Sequence, residues 1–376
     1  MPLGPPAHVP GAGPYMYGPD AGPHAALRGA RMRAPYDGAH VRRRLLDEQR
    51  FERVHGALAG EVNAAANGTA PTTAVTTPTS MSVWSLLYRR RIDGGRVRDM
   101  ALVLLTGATR GIGAAAAVEL AREGVEVTLV GRDPERVRAV AQAARGAGGG
   151  APVHEHIADL TLMAEVRALA EEARSRYDHI DVLANNAGAL FASRRVSAEG
   201  FEQTFALNHL APFLLTALLR DRLGGGRVVT TASDAHTGGR LDLDDLQSER
   251  SYAAMRVYGT SKLCNILFTR ELARRAPELH ANCFHPGVVR TGFGKNNMGI
   301  WKILTTLGAP FFRSPQRGAR SLVWLSVSDE AAGLTGEYVV DEKIQSPSAQ
   351  ARDDTLAEGL WERSAQLVGL PADLPV

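Results

Sequence analysis

Tyr258 and Lys262, four residues apart in Tyr258-Gly259-Thr260-Ser261-Lys262, carry the chemistry of this sequence most directly. On a helix, positions i and i+4 share a face, so phenol and ammonium point into the same space. A free tyrosine titrates at about 10 and is a poor acid–base group at neutrality; a lysine cation beside it favours the phenolate and draws that value down. Pairs at this spacing also arise by chance on solvated helices, so the weight comes from their company. Ser233 follows an apolar run ending near Thr231, which puts its hydroxyl at a strand's carboxyl end. Asn185-Asn186-Ala187-Gly188 follows another strand end. Asn208 interrupts an otherwise apolar helical stretch, where a side-chain amide is costly without a partner.

A second constellation is Thr106-Gly107-Ala108-Thr109-Arg110-Gly111-Ile112-Gly113, which joins the apolar run 101–105 to an Ala-rich helix. Glycines at such a turn allow close backbone approach to a pyrophosphate lying against the helix's positive end. The spacing is G-x-x-x-G-x-G, not the commoner G-x-G-x-x-G. Helix entries also use glycine for packing alone, and it is the strand before and the helix after that favour a dinucleotide. Asp133 lies about twenty residues beyond Gly113, where an acidic group would select NAD through the ribose hydroxyls. Asp133-Pro134-Glu135 equally reads as a helix start, with Asp133 as cap, and the strand tip itself is Gly131. Arg110 and Arg132 stand where a 2′-phosphate would sit. NADP(H) is therefore the preferred cofactor, with NAD(H) the alternative.

These residues need a scaffold, and the pattern after Met100 supplies one. Apolar or β-branched runs at 101–105, 125–130, 153–157, 180–184, 227–231 and 281–284 alternate with helical stretches at 112–123, 134–144, 162–177, 201–219 and 254–275. Such alternation predicts an α/β fold, a doubly wound, Rossmann-type parallel sheet of about seven strands with helices on both faces. Dinucleotides bind such sheets at the carboxyl ends of the strands. Residues 100–376 form one domain in this reading. Residues 1–80, rich in Pro, Gly, Ala and Thr, read as a disordered low-complexity tail with a single amphipathic stretch at 41–58, and 81–99 as a linker.

Composition narrows the function further. Of 376 residues, 44% are hydrophobic and 22% charged, an ordinary soluble balance. No run reaches the roughly 18 apolar residues of a membrane span. Thirteen arginines against eight acidic residues before Met100 leave that segment at +5 and the remainder at −2, so the basic character belongs to the tail and nucleic-acid binding is not expected. Cys264 and Cys283 show no metal-ligand spacing, which fits a reducing, cytoplasmic setting with no metal.

Taken together, T-G-A-T-R-G-I-G, N-N-A-G, Asn208, Ser233, Y-G-T-S-K and the run His285-Pro286-Gly287-Val288-Val289-Arg290-Thr291 resemble the short-chain dehydrogenase/reductase family over about residues 101–370. Ala235-His236 and Ser261-Lys262-Leu263-Cys264-Asn265 are similar to its retinol dehydrogenase and protochlorophyllide reductase-like branch. Thr230-Thr231-Ala232-Ser233 departs from that branch, which has two adjacent serines here; Ser233 stands for the second. The resemblance implies an NAD(P)-dependent oxidoreductase on a carbonyl or alcohol small molecule. Tyr258 would be its acid–base, Lys262 would lower the phenol's pKa and hold the nicotinamide ribose, Ser233 would hold the substrate oxygen, and Asn208 would hold a water linked to Lys262. It also implies cofactor contacts at Thr106, Gly107, Thr109, Arg110, Gly111, Ile112, Gly113, Arg132, Asp159, Leu160, Asn186, Ala187, Gly188, Tyr258, Lys262, Pro286, Gly287, Val289 and Thr291. Residues 292–314 would cover an apolar substrate, and dimers or tetramers are common in the family. An idle NADP-binding module used for sensing or partner binding is the rival reading, and substitution at Tyr258 or Lys262 would have been its mark.

Overall fold

The structure, a computed structural model, describes the backbone of 90–93 and 96–99 and residues 101–148, 150–289 and 313–371. The expected tail, its amphipathic stretch, Thr291 and most of the covering segment lie outside the described residues. Within the stretch read as a linker, Arg90–Asp93 pairs antiparallel with Arg96–Asp99.

The main sheet contains β1 (Leu102–Thr106), β2 (Glu126–Gly131), β3 (Val153–Ile157), β4 (Val182–Asn185), β5 (Arg227–Thr231), β6 (His280–His285), β7 (Tyr338–Val340) and β8 (Lys343–Gln345). Its order is β8-β7-β6-β5-β4-β1-β2-β3. The first seven strands are parallel and β8 returns antiparallel to β7. Sequence reading gave about seven strands; the eighth comes from a hairpin whose turn, Asp341 and Glu342, has φ of 51° and 56° without a glycine to announce it. Leu102-Val103-Leu104-Leu105-Thr106 is buried throughout, which is why an unbroken apolar run rather than alternation marks this strand.

Side chains along β1 divide between two cores. Leu102 and Leu104 pack on one face with α3 (Met163–Arg176), α5 (Ala211–Leu219), α6 (Ala254–Arg275) and α8 (Asp354–Leu367). Val103 and Leu105 pack on the other with α1 (Gly111–Arg122), α2 (Pro134–Arg145) and α7 (Pro315–Val327). The short α4 (Gln203–Phe205) enters α5 through a π-helical turn, Ala206–Leu210, that holds Asn208. The strand order reverses between β1 and β4, and the carboxyl ends of these two strands frame the crevice where this architecture takes a ligand.

Candidate active site

The glycine turn and the N-N-A-G turn meet at that crevice. Gly107 (φ 66°) and Gly111 (φ 57°) take left-handed backbone that a side chain would strain. A Cβ on Gly107 would lie 2.6 Å from the Ala187 Cα, and one on Gly113 would overlap the Gly107 carbonyl oxygen. Thr106 Oγ1 donates to the Ala184 carbonyl (3.1 Å) and accepts from the Asn186 and Ala187 amides (3.0 and 3.1 Å). Asn186 Nδ2 donates to the Thr106 carbonyl (3.0 Å), and its Oδ1 accepts from Thr231 Oγ1 (3.3 Å). Thr106, Gly107, Asn186 and Ala187 thus form one locked junction between β1 and β4.

Helix α1 differs from its neighbours at its start. The first amides of α2, α3, α4, α7 and α8 are met by Asp133, Glu199, Glu202, Ser314 and Asp353 respectively. The α1 cap residue, Arg110, makes no side-chain cap, and neither do the cap residues of α3 and α6, of which α3 is served instead by the distant Glu199. Unmet amides at a twelve-residue helix, beside glycines that keep the approach open, suit a phosphate group. Asp133 is committed as cap of α2, accepting from the Arg136 amide (3.2 Å) and pairing with Arg136 Nε (3.1 Å). Gly131 is required because Thr109 packs where its Cβ would be. Arg110 and Arg132 are exposed beside it. Asp159 accepts from both the amide and hydroxyl of Thr161, fixing the Asp159-Leu160 turn beyond β3.

Tyr258, Lys262, Ser233 and Asn208 converge at the carboxyl ends of β4 and β5. Ser233 hydrogen-bonds Tyr258. Burial pushes the phenol up to about 12, with the Ser233 bond pulling the other way. Lys262 is 2% exposed, and its Nζ donates to the Thr231 carbonyl (2.8 Å) and sits 5.8 Å from the Tyr258 ring centroid. Burial draws this ammonium down to about 7. Burial is the larger influence on the phenol in this unliganded site, and the Lys262 cation is directed to the Thr231 carbonyl. Asn208, fully buried, exchanges bonds with the Ala189 amide (2.8 Å) and carbonyl (3.0 Å) and donates to Ser261 Oγ (2.9 Å). The point where a Gly188 Cβ would stand lies 3.2 Å from Asn208 Oδ1 and 3.3 Å from Lys262 Nζ, so both atoms border the turn at Gly188.

The glycines of the helix motif have their own reason. A Cβ on Gly259 would lie 2.5 Å from the Ala235 carbonyl oxygen, and one on Gly239 would lie 2.7 Å from the Gly259 carbonyl. The turn after Ser233 therefore rests on the α6 backbone with no side chain between. On the far side of the crevice, Gly287 (φ 79°) is covered by the Arg313 guanidinium, which forms a two-pronged pair with Asp341, one arm at 2.9 Å. Val289 pairs with Arg313 and, with Ile112, packs on Gly318 of α7. Pro286, Gly287 and Val289 thus stand opposite α1.

Two contributors were missed at the sequence level. Asn265 Nδ2 donates to the same Thr231 carbonyl as Lys262 (3.1 Å). Ser261 accepts from Asn208 and donates to the Tyr258 carbonyl (2.7 Å). Their signal was polarity on the buried side of an otherwise apolar helix. Cys264 and Cys283 are both buried. A cavity of about 230 Å³ beside Arg240, Arg256 and Val257 opens on another face of α6 than Tyr258. No described helix is long and apolar enough to cross a membrane.

Residues 101–298 match the family model described as short chain dehydrogenase. A Streptomyces protein named as a daunorubicin C-13 ketoreductase is 47% identical over 71% of this chain and 92% of its own length. Human retinol dehydrogenase 13 is 38% identical over 77% and 92%. Among solved structures, an uncharacterized protein of Mycobacterium paratuberculosis aligns with a TM-score of 0.60 at 32% identity, covering 72% of this chain and 94% of that one. L-sorbose reductase of Gluconobacter frateurii, complexed with NADPH and L-sorbose, aligns at 0.50 and 26% identity over 64% and 94%.

Proposed function

The chain belongs to the short-chain dehydrogenase family, in its retinol dehydrogenase-like branch, and from that premise we propose that it reduces a carbonyl on an apolar small molecule with NADPH, Tyr258 donating the proton. The observation that carries the reading is the convergence of Ser233, Tyr258, Lys262 and Asn208 at one sheet end, beside a helix start that no side chain caps.

The residues present fit a dinucleotide. Gly107, Gly111, Ile112 and Gly113 bring backbone amides to the pyrophosphate, with Thr109 and Arg110 flanking it. Arg110 and Arg132 hold the 2′-phosphate, since Asp133 is engaged as a cap and Gly131 leaves the strand tip open. Asp159 and Leu160 border the adenine. Asn186, Ala187, Gly188, Pro286, Gly287 and Val289 line the nicotinamide end, with Thr291 following them in the chain. NADPH in the L-sorbose reductase relative supports the same choice. When bound, the nicotinamide supplies the hydride.

Tyr258 then does the work of this chain. A phenol pushed up to about 12 keeps its proton at neutral pH, the state needed to protonate a carbonyl oxygen as hydride arrives at carbon. Ser233 Oγ accepts from the Ala235 amide (3.2 Å), which leaves its own proton to donate to the developing oxyanion. With the dinucleotide bound, Lys262 would hold the nicotinamide ribose, and Asn208 would hold a water that returns a proton towards Tyr258. The ketoreductase name of the Streptomyces relative favours reduction over oxidation. Met255, on the turn of α6 before Tyr258 (44% exposed), and Val288 (61%) offer apolar surface near the reacting end. An idle binding module has no use for all four polar groups at one point.

A panel of ketones, aldehydes and alcohols with both cofactors identifies the substrate, and Tyr258→Phe tests the mechanism. Loss of the hydroxyl should lower turnover about 10²- to 10⁴-fold while NADPH still binds. A variant that reduces substrate at near-normal rate would falsify the assignment.

A further inference from the structure

His236 follows Ser233 by three residues and has no place in the chemistry above, yet it is 2% exposed and both ring nitrogens are engaged. Its Nδ1 lies 2.8 Å from the Ser233 carbonyl. A carbonyl only accepts, so Nδ1 carries the proton. That leaves Nε2 as the acceptor, and it receives the Ser348 amide at 3.1 Å. One neutral tautomer satisfies both bonds. The ring is further held edge-on against Tyr338, with centroids 5.3 Å apart.

Ser233 begins the turn Asp234–Gly238. Its carbonyl takes both the His236 amide (3.1 Å) and the His236 ring. From the other side, the Asp234 amide donates to His285 Nδ1 (3.1 Å), at the end of β6. The hydroxyl that meets Tyr258 thus hangs from a backbone clamped by two imidazoles, and one of them reaches into the segment after β8.

We propose that His236 is a positioning residue for Ser233: its imidazole joins the Ser233 carbonyl to the Ser348 amide, so the segment after β8 sets where the hydroxyl stands against Tyr258. This rests on the reading of Ser233 and Tyr258 given above. A donor displaced from the oxyanion loses transition-state stabilisation while substrate and cofactor binding persist.

Side-chain geometry separates the two bonds. The amide nitrogen of asparagine falls near the place of Nδ1, and the amide oxygen of glutamine near that of Nε2. His236→Ala should lower kcat about tenfold or more with KM for NADPH unchanged. His236→Asn, which keeps the bond to the Ser233 carbonyl and loses the one to Ser348, should recover part of that loss and His236→Gln little of it. Ser348→Pro, which removes the amide N–H, should lower kcat as well, while Ser348→Ala, which keeps it, should not. In the alcohol-oxidising direction the acid limb, where activity rises as Tyr258 loses its proton with Ser233 and Lys262 facing it, should move to higher pH in His236→Ala. The groups facing His236 itself are Asp234, His285 and Tyr338, and all are retained in these variants. Equal loss in the Asn and Gln variants, or a drop in thermal stability with kcat and pH profile intact, overturns the proposal and leaves His236 a packing residue. Tyr258→Phe run alongside keeps the two readings apart: a fully active Tyr258→Phe protein sinks the site assignment, whatever His236 does.

Discussion

Lys262 carries a cost that the resting site does not recover. Its ammonium is buried against one carbonyl, and the unfolded chain binds that proton far more readily than the folded one between about pH 7 and 10.5. A group that the unfolded state holds protonated and the folded state does not makes stability rise with pH across that window. The unliganded protein should therefore gain in urea midpoint from pH 7 to about 9, and Lys262→Met should flatten the rise; parallel curves for the two proteins would show that Lys262 is not desolvated. Above about pH 9 the sign reverses as the buried thiols of Cys264 and Cys283 keep their protons in the folded protein, and Tyr258, whose folded phenol keeps its proton up to about 12, adds to the fall above pH 10. At this scale the sequence disclosed which side chains meet, since i,i+4 spacing admits one geometry. It did not disclose that Lys262 would choose Thr231 over the phenol, because no spacing rule reports which backbone carbonyl a long side chain reaches.

Among the separately starting described α-helices, α1 and α6 alone begin with no side chain meeting their first amides, and only α1 opens on a glycine turn. Five other helices begin under a carboxylate or hydroxyl, and Glu199 caps α3 from thirty-six residues away. The exposed α1 amides together with Arg110 and Arg132 predict that NADPH binds at least tenfold tighter than NADH, about 1.4 kcal/mol. Replacing both arginines with alanine should abolish that difference with little change for NADH, as titration of either cofactor by fluorescence will read. Equal affinities in the unaltered protein would return Asp133 to the ribose. Strands β1 to β6 and the long helices up to α6 were legible from apolar runs and from the Asp133-Pro134 start, whereas β7, β8 and α8 were not read. Ser314-Pro315, an equally plain start, opens α7 and went unread because no strand reading surrounded it. The π-helical turn at Ala206–Leu210 left no mark, since an i→i+5 bond has no residue signature, and it is this turn that carries Asn208 inward.

The whole molecule joins its last helix to its catalytic one. Trp361 of α8 lies edge-on to Phe213 (4.9 Å) and stacks on Phe268 of α6 (6.0 Å), with the Arg275 guanidinium over its ring (5.1 Å). Trp361→Ala should cost about 3–5 kcal/mol, roughly 10 °C in Tm. The lower half of that range is expected, since the indole Nε1 has no hydrogen-bond partner among the described residues and its loss removes that penalty. Calorimetry of the two proteins measures it, and a change under 1 °C would show that α8 does not bear on the core.

The contact between Gly239 and Gly259 has a different reach. Where the Ser233 turn lies on the backbone of α6, the distance from serine hydroxyl to tyrosine hydroxyl is set by two main chains touching, with no compressible side chain to take up error. Most of this scaffold can drift under mutation and re-pack. Here any atom added acts as a wedge whose thickness is transmitted straight to the reacting groups. Variation in substrate choice is therefore open to the surrounding loops, while the spacing of donor and acid is inherited whole or lost.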